Sequence, residues 1–69
     1  MRHIPSELVR VRLKQLRSQV ELAIDTGIRC HTLTKIERRL RPVTPDEAQR
    51  IASVLNVPIN RIFTEDGDR

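Results

Sequence analysis

An all-α fold of about five short helices is predicted by three features of this sequence. Apolar residues recur at helical spacing along the chain, with no alternation of the strand type. Two helix starts carry a reciprocal cap, Ser18 with Glu21 and Thr44 with Glu47. Gly27, one of only two glycines, separates two helical patterns that follow one another directly in SQVELAIDTGIRCHTLTKIE, residues 18–37.

Ser6 follows Pro5 and is placed to cap a first helix over roughly 7–16. Ile4, Leu8 and Val11 share one face of it, and Val9, Leu13 and Leu16 share another about 100° away, with Arg12 between. The second stripe is expected to pack into the core under an unusual turn; the alternative is a self-association or partner surface. Ser18 caps a second helix that runs to about Thr26, with Val20, Leu22 and Ala23 as its apolar residues. Gly27 leaves it with a positive φ. A third helix spans roughly 29–38. Thr44, Pro45 and Glu47 start the fourth; Ala48, Ile51, Ala52 and Leu55 follow, and Asn56 can end it in the left-handed conformation. PINRIF supplies a short fifth helix with Ile59, Ile62 and Phe63. The acidic tail TEDGDR is expected to fray. The sequence therefore reads as one domain over 1–69, with a core from about 4 to 63 and a tail over 64–69.

Composition narrows the function. The chain has 69 residues and a single cysteine, Cys30, so no intrachain disulfide forms and a reducing, cytoplasmic compartment is expected. No apolar run is long enough to span a membrane, and there is no signal-peptide segment. So small a chain buries a modest share of its surface and gains from a partner. The net charge of +4 is unevenly spread: residues 1–41 hold ten Lys/Arg against four Asp/Glu, and residues 42–69 hold three against five. A basic half points to a polyanion. Phe63 is the only aromatic, so the base stacking that holds single strands is nearly absent. Catalysis finds no paired carboxylates in an apolar setting, no phosphate loop and no Ser/His/Asp set. Cys30 and His31 diverge by about 100° on a helix, and His3 is distant, so no compact metal site is expected. Neither an enzyme nor a cofactor is predicted.

The third helix sorts its side chains sharply. His31, Thr34, Lys35 and Arg38 fall within about 100° of arc, and Leu33 and Ile36 lie roughly opposite. Counting from Gln19, a small residue stands fifth (Ala23), glycine ninth (Gly27), and apolar residues tenth, fifteenth and eighteenth (Ile28, Leu33, Ile36). A small residue lets two helices approach, glycine frees the turn, and the apolar residues hold the second helix across the first.

This pattern, with Thr44 to Val57 and NVPINRIF after it, resembles the Cro/repressor (XRE) family of helix-turn-helix proteins over roughly residues 4 to 63. The resemblance implies a compact five-helix DNA-binding domain whose third helix enters the major groove. It implies base contacts from Arg29, Cys30, His31, Thr32, Thr34 and Lys35. Arg29 and Lys35 suit guanine O6 and N7, Thr32 or Thr34 a thymine methyl, and His31 a purine N7 or a phosphate; Cys30 alternatively packs half-buried. Gln19 matches the family's phosphate-contacting glutamine. Arg38, Arg39 and Arg41 follow the third helix where the family loop meets the DNA backbone. Arg12 and Glu37 match a structural arginine–glutamate pair of the family. The family commonly places glycine and leucine before the capping serine; here Leu16 and Arg17 stand there, and Leu16 is expected to fill the missing leucine's place. Arg29 stands where the family often has serine.

The resulting expectation is a sequence-specific regulator of transcription, of repressor type, that binds double-stranded DNA as a homodimer. With no separate dimerisation domain in the sequence, the fifth helix (Ile59, Phe63) or the spare stripe of the first would form the dimer. The alternative is an adaptor or antitoxin-type module that binds a protein partner on the same fold.

Overall fold

The computed structural model describes residues 2–66. Both reciprocal caps form. Ser18 Oγ accepts the Glu21 amide at 3.0 Å and Glu21 Oε1 accepts the Ser18 amide at 2.9 Å, which starts α2 (Gln19–Thr26). Thr44 Oγ1 accepts the Glu47 amide at 3.1 Å and Glu47 Oε1 accepts the Thr44 amide at 3.2 Å. With Pro45 in its first turn, α4 (Pro45–Leu55) follows. The other helices, α1 (Leu8–Lys14), α3 (Cys30–Glu37) and α5 (Ile59–Ile62), start without a side-chain cap. The expected Ser6 cap is not made: Glu7 occupies the cap position of α1. The Ser6 backbone N–H instead donates to the Ile62 carbonyl at 2.9 Å.

That bond belongs to a feature the sequence does not announce. Residues Arg2–Pro5 form β1 and Phe63–Asp66 form β2, paired antiparallel from Arg2↔Asp66 to Pro5↔Phe63. Ile4 therefore lies in a strand rather than on a helical face. Residues 64–66 of the expected frayed tail pair in the ribbon, while residues 67–69 lie outside the described residues. Four residues per strand are too few for a periodic signal, and an edge tolerates Pro5. The Ser6 and Glu7 amides both donate to the Ile62 carbonyl, at 2.9 and 3.4 Å, where the two segments meet. The domain remains all-α in class, with residues 2–5 and 63–66 joined by this ribbon.

One core joins the helices. Leu8 and Val11 of α1, Leu22 of α2, Leu33 and Ile36 of α3, and Ala48, Ile51, Ala52 and Leu55 of α4 are buried with Ile62 and Phe63. Ile28 and Val43 extend it through the connecting segments. The Val9, Leu13 and Leu16 stripe does not join them, contrary to the expected core packing. Leu16 is 90% exposed, so it fills no core position. Phe63 is only 1% exposed and is unavailable as a dimer surface.

Left-handed residues close four helices: Leu16 (φ 58°), Gly27 (φ 76°), Arg39 (φ 63°) and Asn56 (φ 59°). After α1, the Leu16 and Arg17 amides return to the carbonyls of Leu13 (2.9 Å) and Arg12 (3.1 Å). After α3, the Arg39 and Leu40 amides return to Ile36 (3.0 Å) and Lys35 (2.8 Å). Both ends are Schellman motifs that favour glycine at the left-handed position. At Gly27 the constraint is φ rather than space, since an added Cβ would meet only Arg50 Nη1, at 3.9 Å. Leu16 sits where glycine is favoured and touches little that would compensate. A left-handed non-glycine residue costs about 1–2 kcal/mol, against roughly 0.4–1 kcal/mol of extra unfolded-chain freedom for glycine. Leu16→Gly is therefore expected to stabilise the dilute protein by about 0.5–1 kcal/mol, read as a higher urea midpoint with unchanged slope. A lower midpoint contradicts the assignment of strain.

Candidate nucleic-acid interface

α3 stands on its apolar side. Leu33 and Ile36 are fully buried, Ile28 anchors the turn before them, and Arg29 occupies the cap position. What faces outward follows from the helical period. Arg29, His31, Lys35 and Arg38 are exposed, and Cys30, Thr32 and Thr34 are half-buried.

Beneath this face lies a connected polar network. Arg12 Nε donates to Glu37 Oε2 at 2.8 Å and Arg12 Nη2 to Glu37 Oε1 at 3.1 Å, a bidentate pair linking α1 to the last turn of α3. Arg12 Nη1 also donates to the Arg17 carbonyl at 3.0 Å. Gln19, the first residue of α2, donates from Nε2 to Glu37 Oε1 at 2.9 Å. Its Oε1 accepts from Thr34 Oγ1 at 2.9 Å and from Cys30 Sγ at 3.7 Å. Thus α1, α2 and α3 share one network, and Gln19 bridges the first and last turns of α3. The Gln19 amide keeps one N–H unused by it. The Thr34 hydroxyl also reaches the Cys30 carbonyl at 3.2 Å. The thiol of Cys30 is free of any disulfide and half-buried.

The cations separate into two groups. Arg12, Arg17, Arg41 and Arg50 pair with Glu37, Asp25, Glu47 and Asp46 at 2.8–3.0 Å, and Arg10 lies 3.9 Å from Glu7. No carboxylate among the described residues pairs with Arg29, Lys35 or Arg38, which border the exposed side of α3; Lys14 and Arg61 are likewise unpaired but sit on other elements. Arg39 donates from Nη2 to the Pro5 carbonyl at 2.9 Å, tying the loop after α3 to β1.

Arg41 is held by both Glu47 oxygens, at 2.9 and 3.1 Å. The hydrogen bond to Arg41 holds the Glu47 carboxyl below its ordinary range against the opposing effect of burial, with help from the Thr44 amide. The same bond raises the Arg41 guanidinium. Because the folded carboxyl titrates below the unfolded one, its stabilisation is complete above the unfolded value. It drains away as pH falls through the depressed folded value. Thermal melts between neutral and acid pH should therefore show a steeper acid loss for the wild type than for Glu47→Gln. Parallel acid limbs count against the linkage.

Sequence reasoning missed several ties that hold this face. Arg17 donates to Asp25 Oδ2 at 2.9 Å and to the Val54 carbonyl at 3.3 Å, and Gln15 Nε2 donates to the Leu55 carbonyl at 2.8 Å. They fix α1 and its turn to α2 and α4. Their partners are eight to forty residues away, and backbone carbonyls carry no sequence signature. Among the described residues no three His, Cys, Asp or Glu side chains gather as metal ligands, and no helix is long and apolar enough to cross a membrane.

A helix-turn-helix family model matches residues 8–62, from the first residue of α1 to the last of α5. No curated protein matches the chain.

Proposed function

This chain belongs to the helix-turn-helix family, whose members are DNA-binding regulators, and we propose that it is a sequence-specific repressor of transcription that lays α3 in the major groove. The observation that carries this reading is the sorting of charge. Arg12, Arg17, Arg41 and Arg50 have carboxylate partners, while Arg29, Lys35 and Arg38 border the exposed side of α3 without one. Cations left unpaired beside a polar helix face are suited to phosphates and to guanine edges.

Roles follow from the environment of each residue. Arg29 and Lys35 reach guanine O6 and N7, and His31 a purine N7 or a phosphate. Thr34 spends its hydroxyl on Gln19, which leaves its methyl for a thymine methyl; Thr32 offers the same chemistry. Cys30 lines the entrance of α3 and shares in base contact only at its edge. Gln19 gives its remaining amide N–H to a phosphate, at the start of α2 where backbone donors also point outward. Arg38 and Arg39 contact the adjoining backbone, and Arg41 does so from its pair with Glu47. Two protomers on a twofold site would set their recognition helices about 34 Å apart. Repression follows from occupancy of promoter DNA.

The test begins with selection of duplexes from a random pool, followed by footprinting. A symmetric consensus with half-sites one turn apart is expected. His31, Lys35 and Arg38 are exposed, so their triple alanine variant should fold normally and lose specific binding. Lys35→Ala alone should cost about 1–3 kcal/mol at one base position, and Arg38→Ala should lower the salt slope by about one. A folded triple variant that binds the selected duplex unchanged defeats this reading. Wild-type protein that shows no salt-dependent duplex binding, yet captures a protein partner, supports the adaptor alternative instead.

A further inference from the structure

The α1–α2 side of the molecule carries apolar side chains that the fold does not use. Val9 and Leu13 on α1, Leu16 in the turn, and Val20 and Ile24 on α2 are all exposed, Leu13 by 57% and Ile24 by 74%. Each helical pair is spaced i, i+4, so each forms a ridge. Leu16 lies in the turn that joins the two helices. With Ile24, Gln15, Arg17, Glu21 and Asp25 it lines an open depression of about 400 Å³.

The borders of this strip carry opposite charges. On α1, Arg10 and Lys14 follow Val9 and Leu13 about 100° around the helix; on α2, Glu21 and Asp25 follow Val20 and Ile24 by the same angle. Arg10 lies beside Glu7 and Asp25 is already held by Arg17, so Lys14 on α1 and Glu21 on α2 are the opposite charges without an ionic partner among the described residues of the protomer. A surface of that kind is complementary to a copy of itself turned by a twofold axis, as an isologous interface requires. The five apolar side chains expose on the order of 500 Å² per protomer, so two copies with their charged borders clear the roughly 1,000 Å² that a specific interface needs.

We propose that the α1–α2 face binds a second copy of this chain. The α1 ridge of one protomer packs against the partner's α2 ridge, with Leu16 beside the axis. Lys14 faces the partner's Glu21. The inference deepens the homodimer reading above and rests on it for the stoichiometry. No residue of α3 belongs to the strip, so the basic face of that helix stays open.

Sedimentation over a wide concentration range tests the surface in the intact chain. Leu16→Asn suits the left-handed turn and removes the central apolar side chain; Ile24→Lys replaces an exposed residue with a good helix former. The double variant should keep its melting temperature in dilute solution while its dimer dissociation constant rises roughly 100-fold or more. Lys14→Glu alone should weaken the dimer and make its dissociation less dependent on salt. Binding of the monomeric double variant to a selected half-site duplex should remain salt-dependent. Wild-type protein that stays monomeric at millimolar concentration overturns the proposal, whether or not the strip meets another protein. So does a double variant that dimerises like the wild type. The DNA reading fails separately, if wild type and variant assemble as described and neither binds the selected duplex.

Discussion

Replacing Arg12 with methionine is expected to lower the unfolding free energy by about 3–5 kcal/mol, because it strands a buried carboxylate. The side chains of Arg12 and Glu37 are only 10% and 8% exposed. Without the guanidinium, Glu37 keeps the Gln19 amide as its one remaining side-chain donor in the network, and the Arg17 carbonyl loses its donor. At roughly 0.05–0.15 kcal/mol per residue, a domain of this size has about 3–10 kcal/mol in total, so the variant should be largely unfolded at moderate temperature. Urea denaturation of the single variants and of Arg12→Met/Glu37→Leu completes a cycle. The double variant should recover much of the loss, since an apolar pair of similar volume is often as stable as the buried ions it replaces. If Arg12→Met alone costs less than about 1 kcal/mol, the pair behaves as an exposed one and does not hold α3 in place.

Replacing Phe63 with alanine should cost about 3–5 kcal/mol, the usual loss for a fully buried aromatic. Phe63 joins α5 to β2, pairs opposite Pro5 across the ribbon, and lies within the core formed with Leu8 and Ile62. Phe63→Leu keeps much of the volume and should cost under about 1.5 kcal/mol. Chemical denaturation in dilute solution distinguishes this from a role in assembly. A Phe63→Ala protein of near wild-type stability that no longer self-associates would return Phe63 to the surface and contradict its burial.

Local chemistry made much of the helical organisation legible. Caps depend on residues three apart, so Ser18–Glu21 and Thr44–Glu47 could be recognised without knowledge of the fold. Gly27 and Asn56 announced their left-handed turns because both residue types adopt that conformation readily. Leu16 and Arg39 adopt it too, but neither side chain advertises it. The place of Leu16, where the resembled family has glycine, was a usable signal; its exposure was not, because an apolar residue after a helix looks the same in sequence whether it is covered or bare. The ribbon between residues 2–5 and 63–66 was invisible for a related reason, since its register depends on segments about sixty residues apart.

The sequence by itself determined the helices, the turn at Gly27 and the polar side of α3, because each follows from propensity, capping or a period of 3.6 residues. Tertiary structure decided which arginines are spent on packing, which apolar stripe stays bare and how Gln19 is tied to Thr34 and Glu37. Those outcomes depend on distances between residues remote in the chain, and no local pattern encodes a distance of that kind.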